Sequence, residues 1–495
     1  MYEKSEHMIK TIKNCMAGGC RTLHKKYPSL SLLLIVGVAG MSCTVLHDGR
    51  TEPPVELPGN FSDSGSEAVP EQWWEVFGSK ELNNLVEQTL ANNFSLKSAW
   101  SRLDQAAAVA AKAGSDKKIS LDSTASFERT VTRNERSGRT YGKEWEVGLA
   151  AGYEVDLWGR IKASVEAAEF DADAAREDLR AATVSLSASV VTTGIRLLER
   201  EQQLGLLDRQ IATNKKYLEV ITEQFRQGRA AASDVLQQRQ LVEQRRGEKH
   251  LVKATVQTLR NQLAVLTGQA PAAGMKLVET DEVALPEMPP FPQTGVPAAL
   301  VQRRPDVRRS MNNVLAADRR VAAAISDRFP RLKLTANLNT SAEDLRDLFD
   351  NWLAGLAANI AAPLMDGGRR QAEVRRSKAV LDQALNNYGQ VVLEAIREVE
   401  DALVREKKQR DYFRSLQQQL QLASESATQT RENYIKGAMS FTRYLNTLLE
   451  YQRLERIVLQ VRRDLLLERV SLYRALAGSW QLQKPVLKSN GRMAE

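Results

Sequence analysis

Residues 144–157 read EWEVGLAAGYEVDL and alternate strictly between two kinds of side chain. The odd-numbered residues are apolar, and the even-numbered residues are polar or small. A repeat of two is typical of a β-strand with one apolar and one polar face. The same alternation runs through residues 119–127, 332–339 and 352–364. The sequence therefore predicts four strands in two hairpins.

Strands of this kind suit either a half-buried sheet on a soluble core or a membrane barrel with a polar lumen. About 9–11 residues are enough for a tilted strand to cross a bilayer. Bacterial single-chain barrels begin at about eight strands, so four cannot close one. An open edge in lipid would leave backbone groups unpaired, at several kcal/mol each. A membrane barrel would therefore need several chains, and three copies would supply twelve strands.

Two long segments without proline, residues 160–227 and 369–436, follow the hairpins. At 1.5 Å per residue, each could form a helix of about 100 Å. Gly228 and Gly437 follow them, as glycine often follows a helix, and a second helical segment comes after each. The first segment has a seam with coiled-coil spacing, made of Leu204, Leu207, Ile211, Leu218, Ile221 and Phe225, with Asn214 among them. A solvated scaffold and the wall of a water-filled duct would both fit such helices.

The chain contains two copies of one unit. Matching residues lie 209 to 211 positions apart and include Asp116 and Asp327, Leu121 and Leu332, Trp158-Gly159-Arg160 and Gly367-Gly368-Arg369, and Gly228 and Gly437. So long an offset indicates a duplicated domain, since solenoid repeats are far shorter. Each copy is predicted to run helix, β-hairpin, long helix, turn, long helix.

The N-terminus has the pattern of an export signal. Residues 1–26 carry six basic and two acidic side chains, whereas residues 27–42 carry no charge. The apolar segment is too short to span a membrane as a helix. Cys43 follows it, as at a bacterial lipoprotein cleavage site. We therefore predict lipidation of Cys43, with ordinary signal cleavage as the alternative.

These patterns predict the following organisation. It comprises a signal peptide (1–42), an extended lipid-anchored segment (43–71), a first repeat (72–271, with hairpin 119–157 and helical hairpin 160–268), a linker (272–297), a second repeat (298–480, with hairpin 331–364 and helical hairpin 369–478) and a C-terminal tail (481–495).

Residues that could carry out a reaction are sparse. The four histidines lack the spacing of a metal site, and no phosphate-binding loop or Ser–His–Asp set is recognisable. We therefore predict no enzyme activity, no metal and no cofactor. The net charge of +8 is partly in the N-terminal signal, and without a basic patch no nucleic-acid partner is predicted. Residues 156–160 are predicted to form a strand-to-helix corner, and Pro305 and Asp306 the first turn of a helix.

Four segments resemble the TolC/OprM-like family of outer-membrane efflux proteins, in its NodT-type lipoprotein branch. They read YEVDLWGR (153–160), RRPDV (303–307), PLMDGGR (363–369) and LYRALAGSW (472–480). The resemblance implies a mixed α and transmembrane β-barrel fold. Three chains would share a twelve-stranded barrel in the Gram-negative outer membrane, continued by a long α-helical barrel in the periplasm. It also implies two partners, a periplasmic adaptor protein and an inner-membrane RND transporter.

The resemblance further implies which residues matter for function. Two helix–turn–helix tips would face the adaptor and constrict the closed channel, with the residues Gly228, Ala232, Ser233, Asp234, Gly437, Ser440, Phe441 and Arg443. The strand-to-helix corners would use Asp156, Trp158, Gly159, Arg160, Asp366, Gly367, Gly368 and Arg369. From their opposite charges we hypothesise that Asp234 and Arg443 pair across the tips and hold the channel shut. Two solvated charges at helix ends are the alternative.

The predicted function is that of a passive exit duct for drugs or other small toxic compounds in a tripartite efflux system. A duct for type I polypeptide secretion is an alternative within the same class. A lipid-anchored periplasmic coiled-coil scaffold is an alternative from a different class, and the alternating strands argue against it.

Overall fold

A computed structural model describes residues 55–134, 138–271 and 284–476. These residues fall into two compact units. The sheet unit contains Ile119–Lys162 and Ala322–Gly367, and the helical unit contains the other described residues. The predicted signal peptide, Cys43, residues 272–283 of the linker and the predicted tail lie outside the described residues.

The sheet unit contains one antiparallel sheet with the strand order β1-β2-β3-β4. The strands are β1 (Ser120–Asn134), β2 (Gly138–Val155), β3 (Arg331–Ala342) and β4 (Trp352–Ala361). The four predicted strands are confirmed. The sequence pattern extends the last strand to residue 364, but β4 ends at Ala361. Pro363 explains the early end, because proline has no N–H to donate to a strand ladder.

The register brings similar faces together across all four strands. One row contains Leu121, Ala151, Ala336 and Leu356, and the next row, on the opposite face, contains Asp122, Ala150, Asn337 and Gly355. Because side chains alternate along each strand, this register separates an apolar face from a polar or small one over most of the sheet. The exceptions include Leu353 on the polar face and Arg129 and Lys143 on the apolar face.

The described residues form eight α-helices. The pairs before the hairpins are α1 (Lys80–Asn92) with α2 (Phe94–Ser115), and α5 (Pro297–Arg303) with α6 (Pro305–Ser326). The pairs after the hairpins are α3 (Arg160–Arg226) with α4 (Ala232–Leu266), and α7 (Arg369–Ile435) with α8 (Phe441–Leu476). The single helix predicted before each hairpin is a pair, because Asn93 caps a new helix and Pro305 starts one.

The long helix α3 contributes much of the core. Leu207 and Ile221 of the predicted seam are buried, as is the polar Asn214 between them. Phe225 is 45% exposed, so the seam prediction is wrong at its end, one residue before α3 stops. Among the described helices, α3 alone has a window apolar enough to cross a membrane, and 61% of that window is buried in the protein. It is therefore placed like a core helix.

The segment before α1 and the end of the linker lie against the long helices. Phe61 is buried beside Leu300 and Leu472. The N–H of Gly65 donates to the carbonyl of Pro292 at 3.0 Å. A Cβ atom at Gly65 would lie 2.0 Å from the carbonyl oxygen of Phe291, so only glycine allows this approach. The segment is thus an ordered part of the helical unit from residue 55 onward.

A buried ion pair holds the linker in place. Arg469 of α8 and Glu406 of α7 are almost fully buried and lie 2.7 Å apart. Arg469 also donates hydrogen bonds to the carbonyl oxygens of Pro289 and Pro290. Its guanidinium lies 5.3 Å from the centre of the Phe291 ring, a cation–π distance. One arginine therefore joins two long helices and the linker.

Candidate functional site

The apolar face of the sheet is open. Leu356 is 85% exposed, Ile360 73% and Trp352 70%. Phe127 and Trp145 lie opposite each other on the same face, with ring centres 4.5 Å apart. A contiguous patch of large apolar side chains on a protein surface marks contact with lipid or with another protein.

The other face of the sheet is lined by polar and small residues. Asp122, Glu146, Asn337 and Asn339 lie on it, with glycines between them. A Cβ atom at Gly148 would lie 2.6 Å from the Asn339 side chain, so the glycine leaves room for that amide. This composition matches the lumen side of an outer-membrane barrel.

The outer edges of the sheet lack partners within one chain. β1 and β4 each pair with a single neighbour among the described residues. Each edge therefore presents a row of N–H and C=O groups that can pair with another strand. Because such groups cannot stay unpaired in lipid, a sheet of this kind in a membrane requires strands from other chains.

The first corner, between β2 and α3, starts the long helix. The Asp156 carboxylate accepts hydrogen bonds from the N–H groups of Ile161 at 3.1 Å and Lys162 at 2.7 Å. Gly159 has a φ of 74°, which favours glycine. Arg160 donates to Glu154 at 2.8 Å. The motif therefore forms a tight turn, and Asp156 caps the helix that follows it.

Trp158 of the same corner contacts the second repeat. Its indole N–H donates to the carbonyl of Pro330 at 2.7 Å, and its ring stacks on Phe329 at 4.8 Å. The hydroxyl of Ser326 donates to the Trp158 carbonyl at 2.8 Å. These contacts lock the first corner to the turn between α6 and β3.

The second corner uses two glycines in succession. Gly367 and Gly368 have φ values of 62° and 84°, and Gly368 is the residue that precedes α7. Leu364 is 91% exposed and Met365 97% exposed. The two corners therefore share their glycine turn but differ in packing. Trp158 of the first corner contacts the turn between α6 and β3, whereas Leu364 and Met365 of the second are almost fully exposed.

Each helical tip begins with a glycine that ends a long helix. At the first tip Gly228 has a φ of 72°, and the N–H of Arg229 donates to the carbonyl of Gln224 at 2.8 Å. At the second tip Gly437 has a φ of 73°, and the N–H of Ala438 donates to the carbonyl of Asn433 at 2.9 Å. Both turns satisfy the last carbonyls of a helix through a left-handed glycine.

The second helix of each pair starts four residues after the tip glycine. Ala232 begins α4 and Phe441 begins α8. The Asp234 carboxylate accepts a hydrogen bond from the Ala231 N–H at 3.4 Å, and the Ser440 hydroxyl accepts one from the Arg443 N–H at 3.4 Å. Ala232 and Ser233 are exposed.

The two tips share an aromatic core. Phe441 is 6% exposed and Tyr444 is 2% exposed. The ring of Tyr444 stacks on that of Tyr434, with centres 5.9 Å apart, and meets that of Tyr217 at 5.3 Å. Burial raises the pKa of the Tyr444 phenol, and the Tyr434 hydroxyl bonds to Gln224. The sequence patterns do not predict this cluster, because Tyr217 and Tyr444 lie on different helices and are far apart in the chain.

The hypothesised pair of Asp234 and Arg443 does not form inside one chain. Among the described residues, the two side chains do not form an ion pair with each other, and Asp234 instead accepts a hydrogen bond from the backbone at the start of α4. A contact between the two residues in different chains stays a prediction.

The buried charges of the helical unit form ion pairs. Arg304 donates to Asp306 at 2.6 Å and to Glu398 at 2.8 Å, and Asp306 lies in the first turn of α6, as predicted. Burial raises the pKa of Glu199, whose carboxylate accepts a hydrogen bond from Arg463 at 3.2 Å. In the part of the chain that the structure describes, no group of three His, Cys, Asp or Glu side chains is arranged to hold a metal.

Known proteins share this architecture. The sequence matches the outer membrane efflux protein family over residues 85–269 and 296–478. It is 28% identical over 469 residues to the pyoverdine export outer membrane protein OpmQ of Pseudomonas aeruginosa, covering 92% of this chain and 97% of that protein. It is also 28% identical to the outer membrane protein OprJ of Pseudomonas aeruginosa, covering 85% and 88%. The solved structure of the outer-membrane channel OprN gives a TM-score of 0.77 at 26% identity, over 87% of this chain and 99% of that one.

The two matched segments correspond to the two copies of the duplicated unit, each with one hairpin and one pair of long helices. The fold that contains this sheet and the long helices is shared with the solved channel. The chain belongs to the outer membrane efflux protein family and is the outer-membrane channel component of an efflux system.

Proposed function

We propose that three copies of this chain form a passive duct through which an RND-type tripartite system exports small molecules. The observation that carries the proposal is the four-stranded sheet, with an open apolar face, a polar face and two unpaired edges in the described part of the chain. Three such sheets supply twelve strands and pair every edge, with lipid outside and a polar lumen inside. The duct itself catalyses no reaction.

We expect the exported molecules to be small compounds and not polypeptides. The relative OpmQ is named for export of pyoverdine. No feature of the described residues favours polypeptide secretion over this class. A periplasmic scaffold fits poorly, because it would leave Leu356, Ile360 and Trp352 in water. The identity of the exported compound is set by the transporter, since a wide duct selects weakly.

The exposed tip residues are proposed to dock a periplasmic adaptor. Gly228, Ala232, Ser233 and Ser440 are exposed and small, so another helical hairpin could approach their backbone closely. Phe441 is buried and would support the tip from within. Cys43 is proposed as the lipid attachment site, and acylation with two or more chains would anchor each copy stably.

Loss of the gene tests the proposed cargo. Cells without the protein should accumulate small dyes and become more susceptible to small toxic compounds, and the wild-type gene should restore both properties. Their extracellular polypeptides should not change. Loss of a secreted polypeptide with unchanged dye accumulation would contradict the efflux function and support the secretion duct.

A further inference from the structure

The outer part of the first hairpin carries four basic side chains on the apolar face of the sheet. Arg129 of β1 lies directly opposite Lys143 of β2, and Arg133 lies opposite Arg139. All four residues are exposed, and they share the face of Leu121 because strand side chains alternate. Like charges directly opposite each other in a sheet are unfavourable. An anion held between the partners would relieve this repulsion in both pairs.

The acidic side chains of the same part of the hairpin lie on the opposite face, where Glu128 is opposite Glu144. The three arginines make no ion pair with a described residue, and Lys143 pairs with Asp344 of the loop between β3 and β4. The side chains of that pair are 50% and 63% exposed, and an exposed ion pair contributes little to stability. The basic surface is therefore available to an external anion.

The pair of Arg129 and Lys143 lies where the apolar band of the sheet ends. The odd-numbered residues of β2 are apolar from Val155 to Trp145, ten positions apart, which is about 33 Å along a strand. For a strand tilted by about 40°, this corresponds to a height of about 25 Å, which is that of the apolar band on an outer-membrane barrel. Lys143 is the next residue on this face, so it lies at the level of the lipid head groups.

This end of the sheet belongs to the outer leaflet of the membrane. At its other end, β2 continues from Val155 into the first corner and the periplasmic helix α3. The outer leaflet of a Gram-negative outer membrane consists of lipopolysaccharide, whose acylated sugars carry phosphate groups. The anions next to Arg129 and Lys143 are thus phosphates attached to a lipid.

An apolar cleft opens on the same face, four residues from Lys143 along β2. Its volume is about 470 Å³, and its apolar lining consists of Val147, Leu149, Leu338, Phe349 and Trp352. The loop that supplies Phe349 also supplies Asp344, the partner of Lys143. A hydrocarbon chain in this cleft would bury apolar surface with every methylene group. One lipid can therefore place an acyl chain in the cleft and a phosphate on the basic pair.

We propose that the first hairpin binds lipopolysaccharide, with a phosphate of its acylated disaccharide between Arg129 and Lys143 and an acyl chain beside Trp352. Arg133 and Arg139 lie further out and bind phosphates of the attached sugars. A guanidinium group binds phosphate through two parallel hydrogen bonds, and a lysine binds it as a point charge. The inference rests on the proposed assignment of the apolar face to lipid.

Binding of a phosphorylated lipid tests the site. The protein, extracted in mild detergent and freed of lipid, is titrated with bis-phosphorylated lipid A, the acylated disaccharide of lipopolysaccharide. Native mass spectrometry counts the lipids on each particle. We expect one lipid per chain, and about tenfold weaker binding of the same lipid without its phosphates, because charge-assisted hydrogen bonds are lost. Inorganic phosphate should not compete, since it cannot use the cleft.

A matched pair of variants locates the site. Arg129→Gln/Lys143→Gln should weaken the binding of the phosphorylated lipid about tenfold, because both cations that face the phosphate are removed. Arg331→Gln/Lys333→Gln also removes one arginine and one lysine, but from the polar face at the periplasmic end of β3, and should bind like the wild type. Arg129→Lys, which keeps the charge, should retain most of the affinity.

Three results would overturn the inference. Equal binding of lipid A with and without phosphates would show that the basic pair does not recognise the head group, and this comparison needs only the wild type. Unchanged binding by Arg129→Gln/Lys143→Gln would place the lipid elsewhere. Full competition by inorganic phosphate would indicate a site for free anions.

Dye accumulation in cells separates this inference from the proposed function. A wild-type protein that lowers dye accumulation in cells lacking the gene, but binds no phosphorylated lipid, would refute the lipid site and leave the duct in place. A protein that does neither would refute both.

Discussion

The residues with the clearest individual roles in this protein start or end helices, or form buried ion pairs. Asp156 caps the N-terminus of α3 with both carboxylate oxygens. Gly228 and Gly437 provide the left-handed turns at the tips. Arg469 and Glu406 neutralise each other in the interior. None of these roles requires contact with an exported molecule, as expected for a conduit.

The cap at Asp156 can be tested by substitution. Asp156→Ala should destabilise the protein by about 0.5–2 kcal/mol, because two N–H groups at the start of α3 lose their acceptor. The measurement is the thermal unfolding midpoint of the detergent-solubilised protein, followed through its helical signal. Asp156→Asn, which keeps one acceptor oxygen, should lose less. Equal midpoints for Asp156→Ala and the wild type would mean that the cap does not contribute to stability.

Sequence could predict the local features of these residues but not their distant partners. The corner at residues 156–160 and the glycines that follow the long helices were predicted because turns of this kind leave a local signal in the sequence. The cap that Asp156 provides was not predicted. The aromatic core of the tips was missed, because Tyr217 and Tyr444 are far apart in sequence and meet only through helix packing. The proposed pairing of Asp234 with Arg443 rested on charge alone, and within a chain the local bond of Asp234 to the backbone takes precedence.

At the scale of elements, the strands show the closest agreement between the sequence pattern and the observed structure. The alternation of apolar and polar residues predicted all four strands, because each strand has one mainly apolar face and one mainly polar or small face. The absence of proline predicted α3 and α7 almost to the residue. The end of β4 was wrong because the alternation continues through Pro363, where the hydrogen-bond ladder cannot.

The tip turns make an element-scale prediction. Gly228→Ala and Gly437→Ala should each cost about 1–2 kcal/mol, because alanine resists the left-handed conformation. No atom lies within 4 Å of a Cβ built at either position, so conformational strain is the only expected cause. Gly247→Ala, in the middle of α4 and equally open, should instead stabilise by about 0.5–1 kcal/mol. The same sign of effect at all three glycines would contradict the account.

The apolar face of the sheet makes a second element-scale prediction. Leu356→Lys should sharply reduce the amount of assembled protein in outer-membrane fractions, because a lysine facing the middle of the bilayer costs about 2–4 kcal/mol. Ala357→Lys, one residue along β4 and on the opposite face, should assemble normally. Equal yields from the two variants would show that the faces are not lipid and lumen.

At the scale of the whole molecule, one chain is incomplete. Its sheet has two open edges in the described part of the chain, and the apolar face of the sheet is uncovered. Both features would be satisfied if further copies of the chain were added in a ring.

The mass of the particle extracted from outer membranes in mild detergent tests the central claim most directly. Size-exclusion chromatography with light scattering separates the protein mass from that of the bound detergent. We expect three chains per particle, enough for twelve strands with every edge paired. A particle with a single chain would leave both edges of the sheet open, and a particle with two chains would supply only eight strands. Either result would contradict a twelve-stranded duct.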